Sequence, residues 1–396
     1  IFSDAKEHKV DMSLYENELK RQQLSIKNAI GSEDGMAMDS TSCVDLGVES
    51  LYLSDELITR NSFKGFAYLA LHTQIPYILN TTSKYAQDIM RKGFQFISTD
   101  PKNDKIDDIS KLTELWKEYN CDEVLLTCAR RTLELGGCNI YPIIDGMDKL
   151  LDKKLIISKE TLKPNSLKSF TIIEPTWCSP IQANYTNPLQ PDFYKPSLYS
   201  VMGTTVHESR LFKCVFEELP QQLQPMYQFY GKSLTDKMLD SVRKFVDASD
   251  IVIKIMDRYN TSVLKVALSA TSNPSSIMKR VKDFIAGRSN FGAFIVDKNN
   301  EDFEQIQMTL AGLDDLLSRY SEFMCINAQM SATKLLGIAP KGFNTNDESG
   351  ETNYYDNVDS IRMNNMKPIM LKMLHLIMLN ANMNIDHTID IQFGKL

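Results

Sequence analysis

Apolar residues return every third or fourth position in three long stretches of this 396-residue chain. In the first, Met238, Val242, Phe245, Val252, Met256 and Tyr259 share one side of a helix expected from about Leu234 to Asn260. Lys237, Asp240, Arg243, Lys244, Asp247, Lys254 and Arg258 take the other side, and at 1.5 Å per residue the helix spans roughly 40 Å. The second stretch, Leu313 to Met330, places Leu313, Leu316, Leu317, Tyr320, Phe323, Met324 and Asn327 together, with Gly312 and Asp314 suited to its N-terminus. The third, Asn353 to Met383, carries Met363, Met366, Met370, Met373 and Ile377 in a heptad-like stripe. Pro368 lies inside it and predicts a kink. The stripe reads as core in preference to a subunit interface, because methionine packs adaptably against irregular neighbours.

Shorter patterns fill the rest. Tyr68 to Leu79 and Ala86 to Met90 read as helical. Ile109 to Leu135 reads as one long helix with Leu112, Leu115, Trp116, Tyr119, Val124, Leu125 and Cys128 on its apolar face, stopped by Gly136-Gly137. Cys138–Ile144, Ser169–Ile173, Leu198–Met202 and Leu211–Phe216 read as strands. Pro175, Pro180, Pro188, Pro191 and Pro196 mark irregular connections among them. Between the first two long helices, Val263–Leu268 (strand), Ser275–Ile285 (helix) and Phe291–Val296 (strand, after Gly287) form a module of about fifty residues. Helix, small αβ module and helix together fit a helical hairpin with an insertion at its tip. Residues 1–60 hold one charged helical candidate, Leu14 to Ala29, and then a polar, glycine-containing stretch that reads as a flexible arm.

Composition narrows the function. A 43% hydrophobic content supports a sizeable core, and the length suggests two or three domains. The net charge of −7 argues against coating nucleic acid with a basic surface, but not against surrounding DNA without gripping it. Seven cysteines, an odd number with no Cys-x-x-Cys pair, argue against a disulfide framework or zinc ribbon and favour a reducing compartment. The longest apolar run, Pro368 to Leu379, is broken by Lys372 and His375, so no membrane span is expected. Ile1-Phe2-Ser3-Asp4 does not resemble a signal peptide, and the missing initiator Met suggests a processed or partial product.

Candidate chemistry is sparse. Gly231-Lys232-Ser233 looks like the end of a phosphate-binding loop, but Met226 stands where the motif needs glycine. The simpler reading ends a loop at Gly231 and caps the first long helix with Ser233. His207-Glu208-Ser209-Arg210 contains one His-x-Ser pair of the kind phosphoesterases use twice. His8, His72, His375 and His387 supply no second pair. Asp314-Asp315 and Asp347-Glu348 are adjacent carboxylates, which diverge on a helix and are usually solvated on a loop. Ser233 and Cys325 lack a local catalytic signature. No catalytic, cofactor-binding or metal-binding residue is assigned, and the chain reads as a non-enzyme.

The most informative run is Thr333-Lys-Leu-Leu-Gly-Ile-Ala-Pro-Lys-Gly-Phe-Asn344, then an acidic loop and Glu351-Thr-Asn-Tyr-Tyr-Asp-Asn357. Earlier come Ala86-Gln-Asp-Ile-Met-Arg-Lys-Gly93, Leu135-Gly-Gly-Cys-Asn-Ile-Tyr141, Val206-His-Glu-Ser-Arg-Leu211, Tyr230-Gly-Lys-Ser-Leu234, Arg288-Ser-Asn290 and Ala311-Gly-Leu-Asp314. In this order and spacing the chain resembles phage portal proteins, the head–tail connectors, from about Gly65 onward. The resemblance implies an α+β fold in seven parts: an arm of unclear role (1–60), a wing (61–232), a first stem helix (233–262) and a clip (263–311). A second stem helix (312–332), a channel loop (333–352) and a long kinked wing helix with a C-terminal strand (353–396) follow. The family usually continues into a C-terminal helical crown; this sequence stops at Leu396, so the crown is expected either to be missing or to lie outside this chain.

The resemblance further implies a homo-oligomeric ring, typically of about twelve subunits closed by heterologous contacts, at one capsid vertex. Its partners would be the terminase large subunit, the major capsid protein, a head–tail adaptor and double-stranded DNA passing without sequence readout. Its place would be the virion, and the host cytoplasm during assembly. Lys341, Gly342, Asn344, Asn346, Asp347 and Glu348 would line the channel, Lys341 touching phosphates transiently while the carboxylates limit tight binding. His207, Ser209, Arg210, Gly231, Gly312, Thr333, Leu335, Gly337, Pro340, Tyr354 and Tyr355 would be structural. Two rivals stay open: a phosphodiester-processing enzyme centred on His207 and Arg210, and an oligomeric scaffold without a channel.

Overall fold

The computed structural model describes residues 62–100, 105–147, 150–257, 260–266, 301–307, 312–337 and 348–396, with Lys279 and Lys282 besides. Helix α1 spans Phe66–His72 and α2 spans Pro76–Met90. Where the periodicity suggests one helix from Tyr68 to Leu79, Pro76 starts a new one, its missing N–H costing nothing at a first position. The polar middle of α2 stays helical because Thr81 and Thr82 donate to the carbonyls of Tyr77 and Ile78, at 2.6 and 3.1 Å.

Strand β1 (Phe94–Ser98) precedes α3 (Ile106–Glu118) and α4 (Cys121–Leu135). The single helix expected over Ile109–Leu135 is therefore two. Asn120 sits in the left-handed region at φ 49° and turns the chain, while Asp122 accepts from Trp116 Nε1 at 2.9 Å across the corner. Leu112, Trp116, Cys121, Leu125 and Cys128 still enter one core, which is why their spacing conceals the break.

Strands β2 (Cys138–Ile144), β3 (Leu167–Ile173), β4 (Cys178–Ala183), β5 (Pro196–Val201), β6 (Thr204–His207) and β7 (Phe212–Cys214) form two antiparallel three-stranded sheets, ordered β3-β2-β7 and β4-β5-β6. The strand expected over Leu211–Phe216 shortens to β7 because a tight turn, Glu208–Arg210, runs directly into it.

Helix α5 (Leu234–Asp257) buries Met238 and Val242 near its start, but Val246, Ile251, Ile253 and Met256 are exposed further along. Strands β8 (Asn260–Val266) and β9 (Glu301–Gln307) pair antiparallel. The strand expected at Val263–Leu268 begins earlier, and β9 has no counterpart in the sequence reading. The strand expected at Phe291–Val296 lies outside the described residues, as does the helix at Ser275–Ile285 apart from Lys279 and Lys282. So does the helix expected over Leu14–Ala29.

Helix α6 (Leu313–Ala328) starts after Gly312 at φ 88°, with Asp314 and Asp315 in its first turn. A short helix α7 (Ala332–Leu336) follows. The third long stretch is α8 (Glu348–Ile361), a π-helical turn (Arg362–Met366) and α9 (Lys367–Asn380). The irregularity falls just before Pro368, whose ring nitrogen has no N–H to continue the regular ladder. Met366, Met370, Met373, Leu374 and Ile377 are buried to 0% exposure in the main core, so the methionine stripe is core, although Met363 is half exposed. Strand β10 (Ile389–Phe393) returns to pair antiparallel with β1. The described residues are thus α+β, with helices and small antiparallel sheets around a core centred on α9.

Candidate functional site

Residues 338–347 join α7 to α8 and lie outside the described residues. Pro340, Lys341, Gly342, Asn344, Asn346 and Asp347 fall there, and Glu348 opens α8. The structure describes what holds the two ends of this segment.

The first end is α7. Ser331 Oγ accepts from Lys334 N–H at 3.2 Å, satisfying a donor that the helix start leaves free. Gly337 closes the helix at φ 74°, its N–H on Thr333 O at 2.9 Å. At this angle a side chain is strained, which explains the glycine. Leu335 packs against the main core. The second end is the first turns of α8, where Tyr354 is 2% exposed.

Asp88, one turn from the end of α2, joins these ends. Its carboxylate accepts from Tyr354 OH at 2.9 Å and from Lys334 Nζ at 3.1 Å. Lys334 Nζ also lies 3.2 Å from Tyr355 OH, and Arg91 donates to the same hydroxyl at 2.6 Å. Arg91 stands 3.9 Å from Asp88. Asn357 extends the network, donating to Tyr85 OH at 3.1 Å and Gln329 Oε1 at 3.3 Å. The Tyr354 hydroxyl titrates well above its ordinary value, because burial disfavours phenolate and the Asp88 charge and hydrogen bond reinforce this. Burial alone pulls the Lys334 ammonium down, but its bonds to Asp88 and Tyr355 outweigh burial and hold it above its ordinary value. The result is a partly buried ion pair, tied by hydrogen bonds to Tyr354 and Tyr355, that fixes α7 and α8 on α2.

Arg362 is the residue sequence reasoning missed. It occupies the π-helical turn and is 0% exposed. Its guanidinium donates to Ile89 O at 2.6 Å, Asp88 O at 2.9 Å, Gly394 O at 3.3 Å and Arg91 O, and to the Asp359 carboxylate at 3.0 Å. Four of these acceptors are backbone carbonyls, three of them at the end of α2, where a helix leaves carbonyls unpaired and favours a cation. A signal was present: Arg362 lies four residues before Met366 and eight before Met370, a charge on the apolar stripe.

The structure puts His207, Ser209 and Arg210 in one turn. Ser209 N–H donates to His207 Nδ1 at 3.1 Å, and Ser209 Oγ accepts from Leu155 N–H at 2.7 Å. Arg210, 4% exposed, donates to Lys153 O at 2.9 Å. The turn therefore clamps the 150–155 connection onto the sheet. Gly231 donates to Gly136 O at 2.9 Å, and a Cβ on it would collide with Glu217 O and crowd Val215. Glycine is required by close backbone approach, not by a phosphate. Ser233 Oγ caps α5, accepting from Asp236 N–H at 3.0 Å. Among the described residues no group of three or more His, Cys, Asp or Glu is arranged to hold a metal ion, and no helix is long and apolar enough to cross a membrane.

A family model described as phage portal protein matches residues 66–396. An uncharacterized protein of Haemophilus influenzae is 22% identical over 296 residues, 72% of this chain and 64% of its own length. Two proteins named anti-CBASS protein Acb1 also match. That of Sphingomonas paeninsulae is 21% identical, over 66% of this chain and 46% of its own length. That of a Caulobacter species is 23% identical, over 48% and 33%. The chain thus spans less than two thirds of each relative. Among solved structures, a chain from the neck of an empty GTA particle computed with C6 symmetry superposes with TM-score 0.52 at 11% identity, covering 85% of this chain and 83% of that one. A chain from the neck of the native particle computed with C12 symmetry gives 0.51 at 10% identity, covering 85% and 82%. At these identities the likeness is one of fold.

Proposed function

Because this chain belongs to the phage portal protein family, we propose that it forms a closed ring at one capsid vertex through which double-stranded DNA enters and leaves. A ring of about twelve copies is supported by the C12 symmetry used for the fold neighbour's neck. Closure requires heterologous contacts. The exposed Ile251, Ile253 and Met256 of α5 and Phe323 and Ile326 of α6 are apolar surfaces that suit such contacts. Residues 338–347 line the channel, with Lys341 meeting phosphates transiently and the nearby carboxylates limiting grip. Residues 263–311 receive the packaging ATPase, the terminase large subunit, and later a head–tail adaptor. Residues 61–232 face the major capsid protein. The protein works in the virion, after assembly in the host cytoplasm.

The observation that carries this reading is the Asp88 anchor. A segment that must withstand passing DNA needs a rigid base, and both its ends are tied to one buried carboxylate. We read the chain as structural, not catalytic. His207 Nδ1 and Arg210 Nε are committed to backbone partners, and no anti-CBASS activity is carried over from relatives of which the chain spans less than half.

The test is deletion of residues 339–346 in the phage, with electron microscopy of the purified ring. Intact rings with impaired packaging or retention of DNA are expected. Loss of rings would reject the channel role, and particles without an axial hole would favour a scaffold.

A further inference from the structure

Among the described residues no third strand joins the ribbon of β1 and β10, so the outer edge of β1 is uncovered. Thr99 N–H bonds to Thr388 O at 2.7 Å, and Gly394 N–H to Gly93 O at 3.1 Å. With the register Phe94↔Phe393 to Ser98↔Ile389, positions 93, 95, 97 and 99 turn their backbone groups toward β10. Phe94 and Phe96 turn theirs the other way. Among the described residues those amides and carbonyls have no partner. A two-stranded ribbon is itself marginal, and its exposed edge is a template for another strand.

A cavity of about 640 Å³ lies along this edge. Four consecutive residues, Gly93 to Phe96, line it. A cavity over a strand's face would meet alternate residues, so this one faces the edge. Its far wall is α3 and the start of α4, contributing Ile109, Thr113, Trp116 and Leu126. Trp116 meets Phe94 and Phe96 edge-to-face, both at 5.4 Å, giving an apolar floor beside free backbone groups.

Charge selects the occupant. Residues 106–126 carry six carboxylates, Asp107, Asp108, Glu114, Glu118, Asp122 and Glu123, against Lys111 and Lys117. All six are exposed, and among the described residues none makes an ion pair. Of these charged residues Asp122, Glu123 and Lys117 line the groove itself, two carboxylates against one ammonium.

We propose that this groove is a β-addition site for an extended segment of a partner protein with alternating apolar residues flanked by lysine or arginine. The segment pairs with the Phe94–Phe96 edge, sets an apolar side chain against Phe94 and Trp116, and places a cation near Glu123.

The test uses the full-length protein and a fluorescein-labelled heptapeptide, Arg-Val-Thr-Leu-Thr-Val-Lys, followed by anisotropy and by hydrogen exchange over residues 93–99. Saturable binding with slowed exchange at Phe94 and Phe96 is expected. N-methylation of the peptide amides that face the edge should weaken binding by about tenfold or more, the order of one or two lost hydrogen bonds. Thr113→Trp, which fills the groove, should abolish it. Glu123→Lys should weaken the basic peptide and favour its glutamate-flanked counterpart. Equal binding of the N-methylated peptide, or no binding, overturns the proposal. So does protection of Phe94 and Phe96 without peptide that grows with protein concentration, which would make the occupant a second copy.

Discussion

Replacing Asp88 by Asn tests whether the anchor is a coupled unit. The Asp88 carboxylate accepts from Tyr354 OH at 2.9 Å and Lys334 Nζ at 3.1 Å, and Tyr354 is 2% exposed. Asn keeps one acceptor and turns a donor toward either the hydroxyl or the ammonium. A hydrogen bond to a charged group contributes about 1.5–3 kcal/mol. Lys334 keeps 23% side-chain exposure and can recover water, so its share falls toward the ~0.5 kcal/mol of a surface pair. Asp88→Asn should therefore cost about 2–3 kcal/mol in urea unfolding. Tyr354→Phe alone should cost about 1.5–2 kcal/mol, leaving the carboxylate with Lys334. Because both changes remove the same bond, the double variant should cost about 1–2 kcal/mol less than their sum. Both Lys334 and Tyr354 titrate above their ordinary values of 10.5 and 10.0. The folded state then holds protons that the unfolded chain releases, so stability falls as pH rises beyond about 10, and Asp88→Asn should flatten that fall. Additivity of the two substitutions within about 0.3 kcal/mol would refute the coupled anchor.

Three further substitutions address the frame around it. Arg362→Met removes the guanidinium from four carbonyls, of which those of Ile89 and Asp88 are met in buried contacts, and leaves the Asp359 carboxylate without it; a loss of about 3 kcal/mol is expected in chemical unfolding, with Arg362→Lys intermediate. Gly231→Ala drives a methyl into Glu217 O and Val215, and should cost about 3 kcal/mol or prevent soluble folding, read by the thermal midpoint. Asp386, held at about 2 by the Lys105 hydrogen bond against an ordinary 3.8, contributes stability that is present above about pH 4 and lost as pH falls through its folded value. Asp386→Asn should cost about 1 kcal/mol at neutral pH, after allowance for screening, and remove the decline between pH 4 and 2 in a thermal-melt series.

The long helices were legible because burial imposed their period. Met366, Met370, Met373 and Ile377 all touch one core, and the three- and four-residue step records that contact. The same signal hid the corner between α3 and α4. Leu112, Trp116, Leu125 and Cys128 converge on the core from two helices, so their spacing reads as continuous. Only Asn120, a residue tolerant of positive φ, marked the break. Along α5 the apolar period continues past the point where this chain buries it, through Ile253 and Met256. There the pattern reports a surface for something else, which the proposed ring would supply.

Site residues were legible where backbone geometry alone demands them. Gly231, Gly312 and Gly337 could be picked out because a close approach or a positive φ excludes side chains. Tyr354 and Tyr355 were found through resemblance; their partners Asp88 and Lys334 lie inside the runs Ala86–Gly93 and Thr333–Asn344 that carry it, but nothing local shows that they pair. The reason is distance along the chain: Asp88 and Lys334 are 246 residues apart, and Arg362 and Ile89 are 273 apart. No local period encodes such pairs. What does encode them is contradiction, a charged residue where the surrounding pattern is apolar. Arg362 on the methionine stripe is that kind of contradiction, and so is Asp88, 6% exposed between Ile89 and Ala86, each at most 1% exposed. A buried charge is tolerated only with a partner. Such a partner can be local, as Arg130 and Arg131 are for Glu134, or distant, and in this chain two of the buried charges, Asp88 and Arg362, meet through distant partners at one place, the end of α2, on which α7 and α8 are anchored.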